Sequence, residues 1–215
     1  MALAEYKDTL ATSASFSTVL LFMTGMFTAN KIMKRNSVGD DSYVPFITGF
    51  LSCSLWLRYG ILIEDATITL VNSVGAFLHI SYLTIYIFHS KSKMGILRQQ
   101  IPPMMCLLMV LFYSYYGEEN VDIVKFHVGV IASAVTIAFF AAPLTKLMHV
   151  IRFRSVECLP FPMIVASFAV SAQWLLYGII LQDPFITLPN SLGCFLSSVQ
   201  LTLFLIYPVT SDGTK

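Results

Sequence analysis

Two tryptophan–asparagine pairs are the residues of this sequence best suited to binding chemistry. Asn72 follows Trp56 by sixteen positions, and Asn190 follows Trp174 by the same sixteen positions, 118 residues further along the chain. An asparagine amide offers hydrogen-bond donors and an acceptor, and an indole offers a flat apolar face. A pyranose ring has hydroxyls that an amide can bind and a C–H face that an indole can pack against. The pairs therefore predict a pocket for a sugar-type ligand.

The pairs belong to a longer internal duplication. The motif Trp-Leu-Arg-Tyr-Gly at 56–60 recurs as Trp-Leu-Leu-Tyr-Gly at 174–178. Likewise, Val-Asn-Ser-Val-Gly-Ala-Phe-Leu at 71–78 recurs as Pro-Asn-Ser-Leu-Gly-Cys-Phe-Leu at 189–196. Chance similarity between apolar segments would match Leu with Ile and Val, whereas this match retains Trp, Tyr, Gly and Asn in fixed order. The sequence thus consists of two copies of one unit.

The composition indicates a membrane protein. Hydrophobic residues make up 56% of the 215 residues and charged residues only 12%, against about 25% charged in soluble domains. Seven runs are close to the roughly 20 apolar residues that a spanning helix needs, although Arg58 interrupts the second. They cover residues 9–30, 42–63, 66–88, 99–117, 126–145, 158–182 and 184–207. We therefore predict an all-α integral membrane protein with seven transmembrane helices.

The duplication groups these spans as three, one and three. A three-span unit returns the chain to the opposite side of the membrane, so one additional span is needed to give the second copy the orientation of the first. The predicted organisation is a first three-helix repeat at 1–89, a linker helix at 90–122, a second repeat at 123–207 and a short cytosolic tail at 208–215. The two repeats are expected to be parallel.

The positive charges predict the orientation. When the sides are alternated with each span, ten of the thirteen Lys and Arg residues fall on one side. The positive-inside rule assigns that side to the cytosol. The amino terminus is then extracellular or lumenal, and the carboxyl terminus is cytosolic.

The duplicated asparagines are expected to lie near the middle of the membrane. Asn72 lies about seven residues beyond the turn at 64–65, on the order of 11 Å along a helix and near the centre of a roughly 30 Å core. An amide is costly there unless it has a partner. One alternative is that each Asn bonds a neighbouring helix and each Trp simply packs. Because the whole pairing is duplicated, we favour the ligand site.

Other residues are candidates for conformational roles. Pro45, Pro143 and Pro160 lie in or near span ends on the predicted cytosolic side, where a proline bends a helix, unless it merely ends a loop. Gly25 occupies the place of Pro143 in the first copy. Near the outer mouth, Tyr59, Tyr177 and Asp183 suit a closure through a tyrosine–carboxylate hydrogen bond, with an interfacial aromatic belt as the alternative.

The remaining polar residues carry less information. Arg58 has Leu176 at its equivalent position, and we expect it to extend outward toward Glu64 or Asp65. The four histidines share no spacing and are expected to be structural. The sequence has no phosphate-binding glycine loop, no paired acids within the spans and no metal-ligand cluster. We therefore expect neither an enzyme nor a cofactor or metal site, and transport without an ion gradient.

With the Trp–Asn pairs duplicated in this span pattern, the sequence resembles the SWEET family of sugar transporters, in particular its animal branch. Nearly the whole chain takes part, including the residues at 34–37, 142–144, 154–157 and 183–186. The resemblance implies a central sugar site between the two repeats. That site maps onto Asn72, Asn190, Trp56 and Trp174, with Ser52 one turn before Trp56.

The resemblance carries further implications. It places an outer gate at Tyr59, Tyr177 and Asp183, and it maps a proline tetrad of the inner hinge onto Pro45, Pro143, Pro160 and Gly25. It implies bidirectional, uncoupled uniport of mono- or disaccharides, glucose-like in type, by alternating access. It also implies a homo-oligomer, with trimers in the family, in the lipid bilayer of the plasma membrane or the Golgi.

Three other classes are less consistent with the sequence. A seven-span receptor has no three-span duplication, and an enzyme within the membrane would need a catalytic pair. A lysosomal amino-acid or cystine exporter of the PQ-loop type shares the plan of three, one and three spans. Such exporters carry a Pro-Gln pair and acids within the spans, whereas this chain has Gly25-Met26 and Pro143-Leu144 at the corresponding places.

Overall fold

The computed structural model describes residues 5–117 and 120–208, which are helical apart from short connections. This confirms the predicted all-α fold. The helices of this part of the chain are α1 Lys7–Met23, α2 Gly25–Arg35, α3 Val44–Leu62, α4 Ala66–His89, α5 Lys93–Phe112, a π-helix Tyr113–Gly117, α6 Val121–Phe139, α7 Ala141–Phe153, α8 Phe161–Leu181 and α9 Pro184–Ile206.

Seven long helical segments correspond to the seven predicted spans. Consecutive helices join into single segments at Lys7–Arg35, Lys93–Gly117 and Val121–Phe153. Six segments of the described chain are long and apolar enough to cross a membrane; the other is α3, which has 19 residues and carries Arg58. The multi-pass membrane fold is confirmed.

Two of the segments are interrupted by a single residue. Phe140 separates α6 from α7, because Pro143 has no N–H for the Phe139 carbonyl and its ring crowds that group. Thr24 separates α1 from α2, and its backbone N–H and hydroxyl both donate to the Leu21 carbonyl, at 3.1 and 2.7 Å. The first copy therefore has a break without a proline.

The chain forms two compact units, Thr18–Ala132 and the combination of Met1–Ser17 with Ser133–Lys215. The core of the first unit contains Ala29, Ile32, Phe46, Ile47, Tyr82, Leu83, Tyr86 and Ile96. A core cluster of the second contains Val150, Val156, Leu159, Ile164 and Leu203. The predicted repeat boundaries at 89 and 122 stay predictions, and of the predicted tail 208–215 only Pro208 lies within the described residues.

Each copy has two ends. The hairpin end is the turn between the Trp-bearing and Asn-bearing helices, at residues 63–65 in the first copy and 182–183 in the second. The loop end is the opposite end, at residues 36–43 and 154–160.

Candidate functional site

The hairpin end has the same backbone geometry in both copies. Glu64 and Gln182, at equivalent positions, have left-handed φ angles of 58° and 55°. Asp65 then caps α4 by accepting a hydrogen bond of 2.9 Å from a backbone N–H. Asp183 caps α9 by accepting two, of 2.8 and 3.2 Å. These caps stabilise the starts of the helices that carry Asn72 and Asn190.

A glycine allows the two helices of each hairpin to pack closely. A Cβ added to Gly60 would lie 2.9 Å from the backbone nitrogen of Thr69, and one added to Gly178 would lie 2.8 Å from the hydroxyl of Thr187. Both distances are too short for a side chain. The glycines of the duplicated Tyr-Gly motif therefore hold the Trp-bearing helix against the Asn-bearing helix.

The tryptophan of each copy packs against the tyrosine one turn further along its helix. The rings of Trp56 and Tyr59 meet edge to face, with centroids 5.6 Å apart and an interplanar angle of 88°. Trp174 and Tyr177 repeat this geometry at 5.5 Å and 90°. The tyrosines are only 3% and 1% exposed, whereas the indoles are half-buried. Each buried tyrosine thus fixes the orientation of an indole that keeps part of its surface accessible.

The two asparagines adopt the same conformation. Asn72 donates from Nδ2 to the Ile68 carbonyl at 2.8 Å, and Asn190 donates to the Ile186 carbonyl at 2.7 Å. Both acceptors lie four residues earlier in the same helix, so these bonds do not link neighbouring helices. Both amides are half-buried, and each has an oxygen and a second N–H beyond this bond. The amides are thus oriented by their own helix and keep groups for a ligand.

The five predicted sugar-binding residues are divided between the two compact units. Ser52 lies half-buried on α3, one turn before Trp56, in the same unit as Asn72. Trp174 and Asn190 belong to the other unit. Their convergence on one ligand stays a prediction.

The residues of the predicted outer gate are likewise divided between the two compact units. Tyr59 and Tyr177 are the buried partners of the indoles, and Asp183 is a helix cap. The Lys7 ammonium lies 5.9 Å from the centre of the Tyr177 ring. A capping role explains why an aspartate stands at position 183, and its gating role stays a prediction.

One of the predicted hinge prolines lies beside a helix break. Pro143 is in the first turn of α7, immediately after the break at Phe140. Pro45 is in the first turn of α3, and Pro160 is the N-cap of α8. A proline at such a helix start removes no intrahelical hydrogen bond. Of the three prolines, Pro143 alone lies beside a helix break, and the hinge role of all three stays a prediction.

Gly25 is required by close packing. A Cβ added to Gly25 would lie 2.5 Å from the ring of Tyr82, and Tyr82 is only 4% exposed. The second copy has Pro143 and Gln200 at these two positions, where the Gln200 amide donates to the Pro143 carbonyl at 3.4 Å. Where the second copy has Pro143 bonded to Gln200, the first copy has Gly25 packed against Tyr82. The hinge role of Gly25 stays a prediction.

Ser133 was not identified from the sequence. Pro189 lies inside α9 and has no N–H to donate to the carbonyl of Phe185. The Ser133 hydroxyl donates to that carbonyl at 2.8 Å instead. The first copy has Val71 in place of Pro189. Val71 has the backbone N–H that Pro189 lacks, so no serine hydroxyl is needed in its place. Because the bond joins residues far apart in the chain, no local sequence signal predicts it.

The prediction that Arg58 extends toward Glu64 or Asp65 is wrong. Its guanidinium donates to the Ser114 hydroxyl at 2.9 Å and to the Ser114 carbonyl at 2.7 Å, and it lies 3.9 Å from the centre of the Tyr115 ring. Arg58 is 8% exposed. It binds the π-helix at the end of the fourth span, which supplies a carbonyl and an aromatic face to a buried cation.

Asp41 organises the loop end of the first copy. Its carboxylate binds Lys31 at 3.2 Å and Arg35 at 2.8 Å, and its backbone carbonyl accepts a bond of 2.8 Å from the Tyr86 hydroxyl. The hydrogen bond from Lys31, together with that from Arg35, lowers the pKa of Asp41. The second copy has Leu159 at the equivalent position, so this polar network belongs to the first copy.

No cluster of three or more His, Cys, Asp or Glu side chains that could hold a metal occurs within residues 5–117 and 120–208. Cys53, Cys106, Cys158 and Cys194 are free thiols.

Seven long helical segments define a multi-pass membrane protein, and each of its two copies presents an oriented amide and a half-buried indole. The family described as sugar efflux transporters for intercellular exchange matches this chain twice, at residues 8–94 and 126–212. The chain belongs to this family, the SWEET sugar transporters, and is not an enzyme. The family match favours this class over the PQ-loop exporters.

Individual relatives and a solved structure agree with the family match. The chain is 43% identical over 206 residues to sugar transporter SWEET1 of Drosophila pseudoobscura pseudoobscura, covering 95% of this chain and 91% of that protein. It is 30% identical to bidirectional sugar transporter SWEET3b of Oryza sativa subsp. japonica, covering 89% and 79%. A eukaryotic SWEET transporter structure matches with a TM-score of 0.85 and 27% identity, covering 95% of this chain and 98% of that one.

Proposed function

We propose that this protein carries glucose-like mono- or disaccharides across a membrane in both directions, by alternating access and without a coupling ion. The relative from Drosophila pseudoobscura pseudoobscura is named a sugar transporter, and that from Oryza sativa is named a bidirectional sugar transporter. Their identity to this chain, over most of its length, supports the same activity here.

The sugar is bound by Asn72 and Asn190, with Trp56, Trp174 and Ser52 completing the site. The observation that carries this proposal is the conformation of the two amides, each fixed by a bond of 2.8 or 2.7 Å to its own helix. Because these bonds hold each amide within its own helix, the remaining donors and acceptors are suited to sugar hydroxyls. The half-buried indoles supply the apolar faces that sugar C–H groups prefer.

Uncoupled transport is supported by the placement of the carboxylates. A proton- or sodium-driven carrier ordinarily binds its ion at an acidic residue within the spans. The sequence has no Asp or Glu in the deep part of any span. Asp65 and Asp183, the acids nearest the two asparagines along the chain, serve as helix caps. The driving force is then the sugar gradient alone.

Gating is assigned to the two ends of the copies. Tyr59, Tyr177 and Asp183 at the hairpin ends form the outer gate, and their positions beside the indoles and at the helix cap support this assignment. The hinge at the loop ends comprises Pro143 and Gly25 beside the two helix breaks, with Pro45 and Pro160 at helix starts. Rotation at the breaks at Thr24 and Phe140 would open the loop ends.

The positive charges place the loop ends in the cytosol and the amino terminus outside or in the lumen. Resemblance to the family supports a homo-oligomer, with a trimer as the expected form, in the plasma membrane or the Golgi.

Uptake of radiolabelled glucose into proteoliposomes tests the proposal. We expect uptake that stops at the external concentration, with or without an imposed proton or sodium gradient, and equal rates of entry and exit at matched concentrations. Accumulation above the external concentration under either gradient would contradict the uniport proposal. A parallel measurement with cystine distinguishes sugar transport from an exporter of the PQ-loop type.

A further inference from the structure

A cavity of about 440 Å³ with a mixed polar and apolar lining lies near the loop end of the first copy, wholly within the unit Thr18–Ala132. Its polar lining is contributed by Thr24, Thr28, Asp41, Ser42 and His79. Ligand pockets of proteins typically measure about 300–1,000 Å³. The cavity is therefore large enough for one hexose ring.

His79, which lines the cavity, has a polar atom without a hydrogen-bond partner in the described part of the chain: its Nδ1 is buried and unpaired. Beside the cavity, the hydroxyl of Tyr82 is likewise buried without a partner, and the Tyr82 ring lies against both Gly25 and the His79 ring. Buried polar groups are normally satisfied, so a ligand with hydroxyls suits the surroundings of His79 better than a wholly apolar one.

The cavity lies in line with the proposed sugar-binding amide. His79 follows Asn72 by seven positions on α4. Seven residues make almost two helical turns, which places the two side chains on nearly the same face, about 10 Å apart along the axis. Gly75 lies between them and packs against Phe22 and Cys53, so His79 is the next polar side chain toward the loop end on this face.

The corresponding cavity of the second copy is smaller. It measures about 220 Å³ and is lined by Pro143, Ser167, Ser197 and Gln200, among others. Ser197 replaces His79, and Ser167 replaces Gly49, where an added Cβ would lie 2.5 Å from the His79 ring. The volume of about 220 Å³ is below the typical range for ligand pockets. The first-copy cavity is therefore about twice the size of its counterpart.

We propose that the first-copy cavity is a second sugar subsite, in which His79 binds a hydroxyl of a hexose that lies beside Thr28, between Asn72 and the loop end. The subsite rests on the proposed transport of sugars. It is occupied transiently during entry and exit, and it makes the route through the loop end asymmetric, since the first copy holds the sugar and the second does not.

Protection of an introduced thiol tests the subsite. Thr28→Cys places a thiol in the first-copy cavity, and Ser167→Cys places a matched thiol in the second-copy cavity, both in a background with Cys106→Ser and Cys158→Ser. Reaction with a small thiol reagent is measured in the purified full chain with D-glucose, and with L-glucose as the stereochemical control. Equilibrium D-glucose binding and transport are measured on the same background without the new thiol.

We expect D-glucose, at about ten times its dissociation constant for the subsite, to slow modification of the Thr28→Cys thiol about tenfold and to leave the Ser167→Cys thiol unaffected. Adding His79→Leu to Thr28→Cys is expected to raise the half-protecting concentration severalfold. Unchanged modification of the Thr28→Cys thiol in protein that still binds and transports glucose would overturn the subsite alone. Equal protection of both thiols would overturn it as well, because a general closure would then be the cause. Absence of any glucose binding would overturn the proposed function itself.

Discussion

The two copies agree closely at the hairpin end and diverge at the loop end. At the hairpin end the left-handed turn residue, the aspartate cap, the close-packed glycine, the Trp–Tyr ring pair and the Asn conformation all occur twice. At the loop end the first copy has Gly25 against Tyr82 and an ion-paired Asp41, whereas the second has Pro143 with Gln200 and an apolar cluster.

This difference indicates separate constraints on the two ends. Under the proposed function, a sugar bound by equivalent groups from both copies requires the same geometry twice, which accounts for the agreement at the hairpin end and the amides. The proposed opening requires only that each copy bends near its loop end, and two different packing arrangements provide a helix break there. The comparison predicts that substitutions of residues shared by the two copies change stability similarly in both, whereas substitutions at positions where the copies differ do not.

The largest expected asymmetry in stability is between Arg58 and its equivalent Leu176. Arg58→Leu removes two hydrogen bonds from a charged group to Ser114, each worth about 1.5–3 kcal/mol in buried sites. Leu176→Ala shortens a side chain that is 42% exposed and is expected to change little. Thermal unfolding of the two variants in detergent measures the difference. Equal melting temperatures would show that the contact with the π-helix is dispensable.

Gly25→Ala is expected to destabilise the protein by about 1–3 kcal/mol, the usual cost of overpacking. The new methyl group would meet the Tyr82 ring at 2.5 Å, and that ring is too deeply buried to move aside. Pro143→Ala adds no atoms there, so we expect it to change stability less and to slow transport more, because it removes the cause of the break at Phe140.

The matched measurement is melting temperature and glucose exchange per folded molecule for both variants. Partial recovery of Gly25→Ala stability by a second change, Tyr82→Leu, would support the steric explanation. A Gly25→Ala protein as stable as the wild type would contradict it.

Substitutions of Asp183 and of its equivalent Asp65 test whether Asp183 acts only as a helix cap or also as a gate. Asp183→Ala is expected to cost about 0.5–2 kcal/mol through loss of the N-cap, whereas Asp183→Asn keeps a capping oxygen. If Asp183 also closes the outer gate, Asp183→Asn slows glucose exchange without lowering the melting temperature, and Tyr59→Phe acts in the same direction. Asp65→Asn, at the equivalent cap, is the control. Loss of equilibrium sugar binding in folded Asp183→Ala protein would make the gate assignment wrong.

The smallest expected effect involves Ser133 and Pro189. Ser133→Ala leaves the Phe185 carbonyl without its 2.8 Å bond, at a cost of about 0.5–1.5 kcal/mol. Pro189→Val introduces the residue of the first copy and restores a backbone N–H to the same carbonyl. In that background Ser133→Ala is expected to cost almost nothing. A double-mutant cycle measures this coupling, and additive effects would refute it.

The sequence predicted the features that are periodic or duplicated. The seven helices follow from hydrophobic length, and the paired hairpins follow from a repeat that retains Trp, Tyr, Gly and Asn in order. It did not predict contacts that join distant residues of one compact unit. The Arg58 contact with Ser114 and the packing of Gly25 under Tyr82 depend on how helices pack, which has no local sequence signal. Pro143 predicted a bend in the fifth span, but no proline lies near Thr24, so the sequence did not predict the break there.

The central claim is that Asn72 and Asn190 both bind the sugar, and glucose binding by the purified Asn→Ala variants tests it most directly. Loss of two or three hydrogen bonds, each worth about 0.5–1.5 kcal/mol, is expected to weaken binding at least about tenfold in Asn72→Ala and in Asn190→Ala. Melting temperatures of the same samples are expected to stay close to that of the wild type. Ser73→Ala and Ser191→Ala, at the neighbouring positions, are the controls and are expected to bind normally. Normal affinity with a lowered melting temperature in the two asparagine variants would contradict the claim and make the duplicated motif a packing device.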